Sequence, residues 1–250
     1  MLLLKQILQM GSETMKYRDV ITYPLNENHL MVTGCDSCGS IGNKVSDTIS
    51  VDASVVGYVT ARVALLEVLT LGAHVVGVTV PISNEPEPTG RQVLEGVKRC
   101  MEDFEVEAPV LTSMEKNMET SMTAVGVVVN GIAKSLKQGG ACCGDQIFVI
   151  GRPSVGEDVI KYGDELLNAE SVKSLLKYNG VKELLPVGSK GIGYELRQMM
   201  LAHGCEYEIV EEHGLDLDKS CGPSSAAIVI VSGDKSIALN IPVRHIGMVL

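Results

Sequence analysis

The most restrictive feature of this sequence is a run of apolar residues at helical spacing, flanked on both sides by short β-branched segments. Apolar residues recur every three or four positions between residues 54 and 71, at Val55, Val59, Val63, Leu66 and Leu69. Gly72 follows in a position typical of the end of a helix. Strand-like runs lie at residues 29–33, 48–51 and 75–80. A helix among strands without strict alternation predicts an α+β fold.

The remaining segments continue this mixture along the chain. A loop rich in proline and glutamate at residues 84–89 leads to a second amphipathic helix at 90–103. Further strands are predicted at residues 109–112, 123–133, 146–150 and 206–210, and further helices at 169–178 and 191–203. A hairpin is expected from residues 226–231 and 236–241 around the turn sequence at 232–235.

A loop dense in glycine and proline at residues 151–156 is the predicted domain boundary. It divides the chain into an N-terminal domain at residues 16–152 and a C-terminal domain at residues 153–250. Residues 1–15 are interpreted as an N-terminal extension ahead of a natural start at Met15.

The composition excludes several classes of function. The chain has 31 acidic and 21 basic residues, a net charge of −10, 4% aromatic residues and no tryptophan. A surface of this charge repels phosphate backbones and anionic membranes, so neither nucleic acid nor a membrane is expected as a partner. No apolar stretch reaches the length of a membrane span, and the N-terminus does not resemble a secretory signal. We therefore expect a cytoplasmic protein with reduced cysteines.

Acidic residues at predicted strand and helix ends are the candidates for chemistry. The sequence contains no Walker phosphate loop, Rossmann fingerprint, His-Glu-x-x-His or Gly-x-Ser-x-Gly motif. Asp36 lies in a predicted glycine-marked turn at residues 34–42, and Glu67 lies at the margin of the buried face of the first helix. An unpaired carboxylate at such a margin is costly, so Glu67 requires either a metal ion or a salt bridge to Arg62 or Arg91.

The sequence around this helix resembles the aminoimidazole ribonucleotide synthetase superfamily. In that superfamily a glycine is followed ten residues later by a metal-binding acid, and five residues further by Gly-Ala. Gly57, Glu67 and the pair Gly72-Ala73 hold these spacings.

Three further stretches agree with the superfamily in order. The segment Gly34-Cys35-Asp36-Ser37 is similar to its Gly-Asp-Asp-Ala turn. Ser113-Met114-Glu115 is similar to its Gly-Gly-Asp/Glu segment. Gly144-Asp145, ahead of the strand at 146–150, is similar to its Gly-Asp-x-Ile-x-Val-x-Gly strand.

The resemblance implies a two-domain α+β subunit with the aminoimidazole ribonucleotide synthetase-like fold. Its N-terminal mixed sheet with helices would dimerise and bind ATP with Mg²⁺, and its C-terminal α/β domain would bind the acceptor. The residues implied in metal binding are Asp36, Asp52, Glu67 and Glu115. The residues implied in nucleotide binding are Gly34, Asp36, Ser37, Gly39, Lys44 and Glu115.

A departure from the superfamily concerns the acceptor. Where thiamine-monophosphate kinase has two acids in an Asp-x-Ser-Asp-Gly segment, this chain has Ser189 and Lys190 between glycines. Loss of acids that hold metal against a substrate phosphate favours an uncharged acceptor, with Ser189 and Lys190 as catalytic candidates. The pattern at residues 36–44 most resembles α-ribazole kinase, which phosphorylates a ribosyl hydroxyl in cobamide assembly.

Other interpretations remain open at this level. Within the superfamily they are a selenophosphate synthetase-like enzyme, a thiamine-monophosphate kinase-like enzyme and an ATP-binding regulator. In a different class, Cys35 and Cys38 form a Cys-x-x-Cys motif typical of zinc or redox proteins, with Cys142 and Cys143 as possible further ligands.

Overall fold

The computed structural model describes residues 14–233 and 235–250. Of the predicted extension at residues 1–15, only the last two residues are among them, and Met15 begins a strand. The chain divides into two compact units between Leu136 and Lys137. This division lies earlier than the predicted boundary after residue 152, because the strand at Gln146–Ile150 pairs within the sheet of the second unit.

The first unit contains a mixed six-stranded sheet in the order β1-β2-β3-β8-β6-β7. Only β6 and β7 are parallel neighbours. Its strands are β1 (Met15–Tyr17), β2 (Val20–Asn26), β3 (His29–Gly39), β6 (His74–Ile82), β7 (Val110–Met114) and β8 (Ala124–Ala133). A short parallel pair, β4 (Ile41–Gly42) and β5 (Ile49–Ser50), lies between β3 and the first helix in sequence.

Two helices cover one face of this sheet. They are α1 (Ala53–Leu69) and α2 (Arg91–Asp103), which follows a single π-helical turn at Pro86–Gly90. Helix α1 is buried on most of its circumference, because it packs against β3, β8 and α2. The sequence prediction of this helix and of Gly72 after it is confirmed, and Gly72 has the positive φ of 78° that a helix end favours.

The predicted turn at residues 34–42 is wrong for its first six residues. Strand β3 continues to Gly39, which pairs with Ala124 of β8. Gly34 does not serve a turn: a β-carbon there would lie 3.2 Å from both the carbonyl oxygen of Ala64 and the β-carbon of Glu67. The glycine therefore permits α1 to approach the strand closely.

The second unit contains a five-stranded antiparallel sheet in the order β10-β12-β9-β13-β11. The strands are β9 (Gln146–Ile150), β10 (Val181–Pro186), β11 (Tyr207–Ile209), β12 (Ala227–Val231) and β13 (Val243–Val249). The helices are α3 (Glu157–Lys161), α4 (Ala169–Lys177) and α5 (Gly191–His203), with a 3-10 turn at Gly163–Glu165. Aliphatic residues of the sheet and of α5 form its core, including Ile147, Ile228, Ile192 and Leu196.

The predicted hairpin at residues 226–241 forms only in part. The backbone N–H of Lys235 donates to the carbonyl of Ser232, as a turn requires, although residue 234 lies outside the described residues. The second strand begins at Val243 and not at residue 236, and it pairs with β9. Strand β9 separates β12 from β13, so the two do not form a hairpin.

No helix among residues 14–233 and 235–250 has the length and apolar character that crossing a bilayer requires.

Candidate functional site

Two acidic residues lie on facing elements where α1 approaches β3. The β-carbon of Glu67 lies 3.2 Å from the ideal β-carbon position of Gly34, and Glu67 is only 7% exposed. Asp36 lies two residues further along the same face of the strand, about 7 Å from Gly34. The superfamily segments that contain Asp36 and Glu67 are therefore brought together by the fold.

Asp36 is a half-buried carboxyl group with an altered protonation equilibrium. Desolvation by burial raises its pKa from 3.8 to about 6, and a hydrogen bond from the backbone N–H of Ser37 opposes that shift. A nearby cation would favour the charged form of such a carboxyl group. Ser37 itself is exposed and lies on the opposite face of β3, so its hydroxyl does not share this site.

The thiol of Cys38 belongs to the same site, which the sequence analysis did not predict. Burial and the charge of Asp36 raise its pKa to about 11, and it forms a hydrogen bond with Thr60 of α1. Thr60 precedes Glu67 by seven residues and so lies on the same face of the helix. This spacing could have identified Thr60 as a residue of the site from the sequence.

The Cys-x-x-Cys motif does not form a single zinc or disulfide site. Cys35 and Cys38 are three residues apart on strand β3, so their side chains project from opposite faces. Cys35 is exposed, whereas Cys38 is half-buried against α1. All seven cysteines are free thiols.

Two acids near α1 have structural contacts. Asp52 caps the helix by accepting a hydrogen bond of 2.8 Å from the backbone N–H of Ser54. It precedes Glu67 by fifteen residues of helix, about 22 Å along the axis, so the two do not share one ion. Asp47 accepts bonds of 2.8 Å and 2.7 Å from the backbone N–H and hydroxyl of Thr123, and one of 2.8 Å from the backbone N–H of Lys44.

Three further residues predicted to bind the nucleotide lie at separate positions in the first unit. They are Lys44, Gly39 and Glu115. The Lys44 ammonium group donates to Glu85 at 2.7 Å. Gly39 ends β3. Glu115 follows β7 at the edge of the sheet, three strands away from β3 and thus about 14 Å from Asp36.

The Glu115 carboxylate is exposed and organised by its own loop. It accepts bonds of 2.6 Å and 3.1 Å from the backbone N–H groups of Asn117 and Met118, and these bonds lower its pKa. At its distance from Asp36, Glu115 does not coordinate the same ion.

The carboxylate oxygens of Asp36 and Glu67 suit a metal ion that binds together with a nucleotide. Within the described ranges, no group of three or more His, Cys, Asp or Glu side chains is arranged to hold a metal by itself. Mg²⁺, however, is usually held by one or two carboxylates and by substrate phosphates, and it keeps several waters. The hard oxygens of Asp36 and Glu67 are the ligands such an ion prefers.

In the second unit, Ser189 and Lys190 are exposed at the start of α5. The Lys190 ammonium group lies 4.2 Å from the centre of the Tyr194 ring and 3.1 Å from the Tyr194 hydroxyl oxygen. Gly191 has a φ of 82°, and the carbonyl oxygen of Leu217 lies 2.6 Å from its ideal β-carbon position, so only glycine fits there.

Backbone contacts join this segment to neighbouring loops of the second unit. The N–H of Gly193 donates to the carbonyl of Leu217, and the N–H of Cys221 donates to the carbonyl of Gly188. From the same loop, Lys219 forms a 2.8 Å ion pair with Asp158 of α3. The segment that carries Ser189 and Lys190 is therefore joined to α3 through the loop at residues 217–221.

Comparison with known proteins gives structural neighbours only. No family model matches the chain, and no curated protein matches its sequence. Thiamine monophosphate kinase from Aquifex aeolicus has a TM-score of 0.67 and 14% identity, over 98% of this chain and 93% of the other. A structure of AaThiL complexed with AMPPCP and TMP has a TM-score of 0.63 and 14% identity, over 98% of this chain and 89% of the other.

A second enzyme has the same fold. Phosphoribosylformylglycinamidine synthase II from Thermotoga maritima matches with a TM-score of 0.58 and 13% identity, over 93% of this chain and 37% of the other. The chain therefore has the aminoimidazole ribonucleotide synthetase-like α+β fold, as its sequence predicted.

Proposed function

We propose that this protein is an ATP-dependent small-molecule kinase. The observation that carries the proposal is the pair of carboxylates, Asp36 and Glu67, on facing elements at the close approach of α1 to Gly34. The fold supports it, because a neighbour with this fold is complexed with AMPPCP, an ATP analogue. Phosphoryl transfer requires mainly positioning and charge neutralisation, for which a carboxylate pair and a bound Mg²⁺ suffice.

The first unit is proposed to bind Mg-ATP. Asp36 and Glu67 would hold Mg²⁺, which neutralises phosphate charge when bound. Glu115 would take part at a separate position, and Asp52 remains a weaker candidate because it caps α1. Lys44 would contact the phosphates after leaving Glu85, and the backbone at Gly39 would line the nucleotide. The other two residues that the resemblance implied, Gly34 and Ser37, are less suited to this role, because Gly34 packs against α1 and Ser37 lies on the opposite face of β3.

The second unit is proposed to bind the acceptor, with α-ribazole as the specific candidate and cobamide assembly as its setting. Val187 and Lys190 stand where the acids would hold metal on a substrate phosphate, which favours an acceptor without a phosphate. Lys190 would neutralise the charge that develops on the product phosphate. The positive end of the α5 helix dipole would favour the same charge.

A thermal-shift experiment tests the nucleotide site. ATP with Mg²⁺ should raise the melting temperature, and EDTA should remove most of that increase. Glu67→Gln should lose the increase, whereas Glu102→Gln, an exposed acid of α2, should keep it. If Glu67→Gln binds Mg-ATP like the parent, the assignment of the site is wrong.

Substrate profiling tests the acceptor. ADP release should be faster with α-ribazole than with thiamine monophosphate among a panel of nucleosides and vitamin precursors. Lys190→Ala should lower kcat more than it weakens ATP binding, whereas Lys177→Ala, on the exposed end of α4, should change neither. Efficient conversion of thiamine monophosphate would contradict the proposed acceptor and leave the ATP site intact.

The first unit is also proposed to form a homodimer through the face of its sheet opposite α1. Ile21 of β2 and Leu111 of β7 are 40% and 68% exposed on that face, and alternate residues of β8 are only partly buried. A second copy would cover these apolar residues.

Light scattering of the protein at micromolar concentration with ATP should give a dimer mass. Val128→Lys, in the centre of the exposed sheet face, should produce a monomer, and Leu201→Lys, on α5, should not. A monomeric parent protein would refute the dimer.

A further inference from the structure

The second unit carries a planar cation that is held flat on an aromatic ring. The guanidinium carbon of Arg152 lies 3.6 Å from the centre of the Tyr162 ring. Its Nη1 donates to Glu165 Oε2 at 2.9 Å, and its backbone N–H donates to the carbonyl of Glu165 at 2.9 Å. The side chain of Arg152 is nevertheless 40% exposed.

The segment between Arg152 and Tyr162 is anchored at two points. The buried Ser225 hydroxyl donates to the carbonyl of Ser154 at 2.8 Å and accepts the Ser154 N–H at 2.9 Å. The ion pair between Lys219 and Asp158 attaches α3 to the loop that precedes Ser225. These contacts and the bonds of Arg152 to Glu165 restrict the segment, which lowers the entropy cost of binding a ligand there.

The local charge argues against phosphate binding at this position. Arg152 and Lys219 are each paired with a carboxylate. The segment and its partner loop contain more acids than bases, namely Glu157, Asp158, Asp164, Glu165, Asp216 and Asp218 against Arg152, Lys161 and Lys219. Exposed aliphatic side chains occur in the same segment, with Val155 44% and Ile160 55% exposed. This surface therefore suits a ligand that is uncharged and planar and that has some apolar surface of its own.

We propose that the outer face of the Arg152 guanidinium is a stacking platform for the planar heterocycle of a nucleoside acceptor. The guanidinium carbon lies over the Tyr162 ring and one of its nitrogens pairs with Glu165, and the side chain is still 40% exposed, which leaves surface for a ligand. Guanidinium planes stack on heterocyclic bases. The inference rests on the proposed function, because it assigns the base-recognition element of the acceptor surface that also contains Lys190.

The test compares Arg152→Ala, Arg152→Lys and the parent in binding and in turnover. The probe is α-ribazole, with adenosine as a second planar nucleoside and methyl riboside, which lacks a base, as the comparison ligand. Base stacking on a side chain contributes roughly 1–3 kcal/mol, so Arg152→Ala should raise both the Kd and the KM for the nucleoside by about tenfold. The kcat and the KM for ATP should change less than twofold.

Conservative variants separate stacking from charge and from folding. Arg152→Lys keeps the charge without the plane and should bind as weakly as Arg152→Ala. Tyr162→Phe keeps the ring and should behave like the parent. Arg244→Ala, an exposed arginine on β13, is the matched control and should have no effect. Binding of methyl riboside should be insensitive to all these changes.

The outcomes distinguish this inference from the proposed function. Nucleoside binding that depends on Arg152 without any ADP release would refute the kinase and leave the platform intact. Turnover or binding that is unaltered in Arg152→Ala would refute the platform and leave the kinase intact. If no planar nucleoside binds the parent protein, the platform is refuted directly.

Discussion

The β-carbon of Glu67 lies 3.2 Å from the position that a β-carbon would take on Gly34. Such a distance is tighter than ordinary van der Waals contact, so the absence of a side chain at Gly34 sets how closely α1 approaches β3. That distance in turn brings the Glu67 carboxylate to the face of β3 that carries Asp36.

Gly34→Ala should therefore separate the two carboxylates. The new methyl group would contact Ala64, Glu67 and Val68, and overpacking of this kind costs about 1–3 kcal/mol in the free energy of unfolding. Mg-ATP affinity should fall together with stability. Gly77→Ala, in β6, is the matched control because nothing lies within 4 Å of its ideal β-carbon, and it should leave both quantities unaltered. Equal behaviour of the two variants would contradict the role of Gly34.

Asp52 is expected to act through the helix and not through a metal. Asp52→Asn keeps a good N-cap and should retain both stability and the Mg-ATP thermal shift. Asp52→Ala removes the cap and should lower the free energy of unfolding by about 1 kcal/mol, measured by urea denaturation. Loss of Mg-ATP binding in Asp52→Asn would instead identify Asp52 as a metal ligand.

Asp47 should make stability depend on pH. Although desolvation opposes the shift, hydrogen bonds from Thr123 and Lys44 lower its pKa below the ordinary 3.8. As pH falls, the unfolded chain is protonated first, so the stabilisation is present above pH 4 and is lost as pH falls through the lowered pKa.

Asp47→Ala should then lower the free energy of unfolding by about 2 kcal/mol at pH 7. The difference from the parent should become smaller at pH 3. Asp164→Ala removes an exposed acid of the 3-10 turn and is the control. It should change the free energy of unfolding little at pH 7 and at pH 3. A difference for Asp47→Ala that is equally large at pH 3 and pH 7 would contradict this account.

The ion pair between Lys44 and Glu85 should compete with nucleotide binding. The lysine ammonium group lies 2.7 Å from the Glu85 carboxylate, and the two side chains are 16% and 33% exposed. Glu85→Gln weakens the competitor and should tighten ATP binding by about two- to fivefold in titration calorimetry, whereas Lys44→Ala should weaken it. Tighter binding in Lys44→Ala would show that Lys44 does not contact the phosphates.

Elements defined by local patterns were predicted well from the sequence. The bounds of β9 and α5 agree with the predicted residues 146–150 and 191–203, because strand and helix periodicity are both local properties. The extension of β3 to Gly39 was not predicted, because the glycine at position 34 has a tertiary reason, the approach of α1. The separation of β12 from β13 is also non-local, since it depends on the insertion of β9.

For the candidate site, the superfamily spacings selected Asp36 and Glu67, which lie on facing elements. Their binding roles stay predictions. The spacings could not reveal that Glu115 lies three strands away, because that fact requires the sheet order. The cap at Asp52 was readable locally, since Asp directly before a helix is a common N-cap. The Arg152–Tyr162 stack has no sequence signature, since it joins residues of two turns.

The strand order of the second unit also determines when its sheet can form on the ribosome. Every pairing in this sheet involves β12 or β13, which are its last two strands in the chain. At about 5–20 residues per second, β9 and β10 leave the exit tunnel seconds before any partner strand exists. Helices α4 and α5 are synthesised within that interval, so we expect them to be the first elements able to cover apolar strands that would otherwise meet neighbouring polypeptides as open edges.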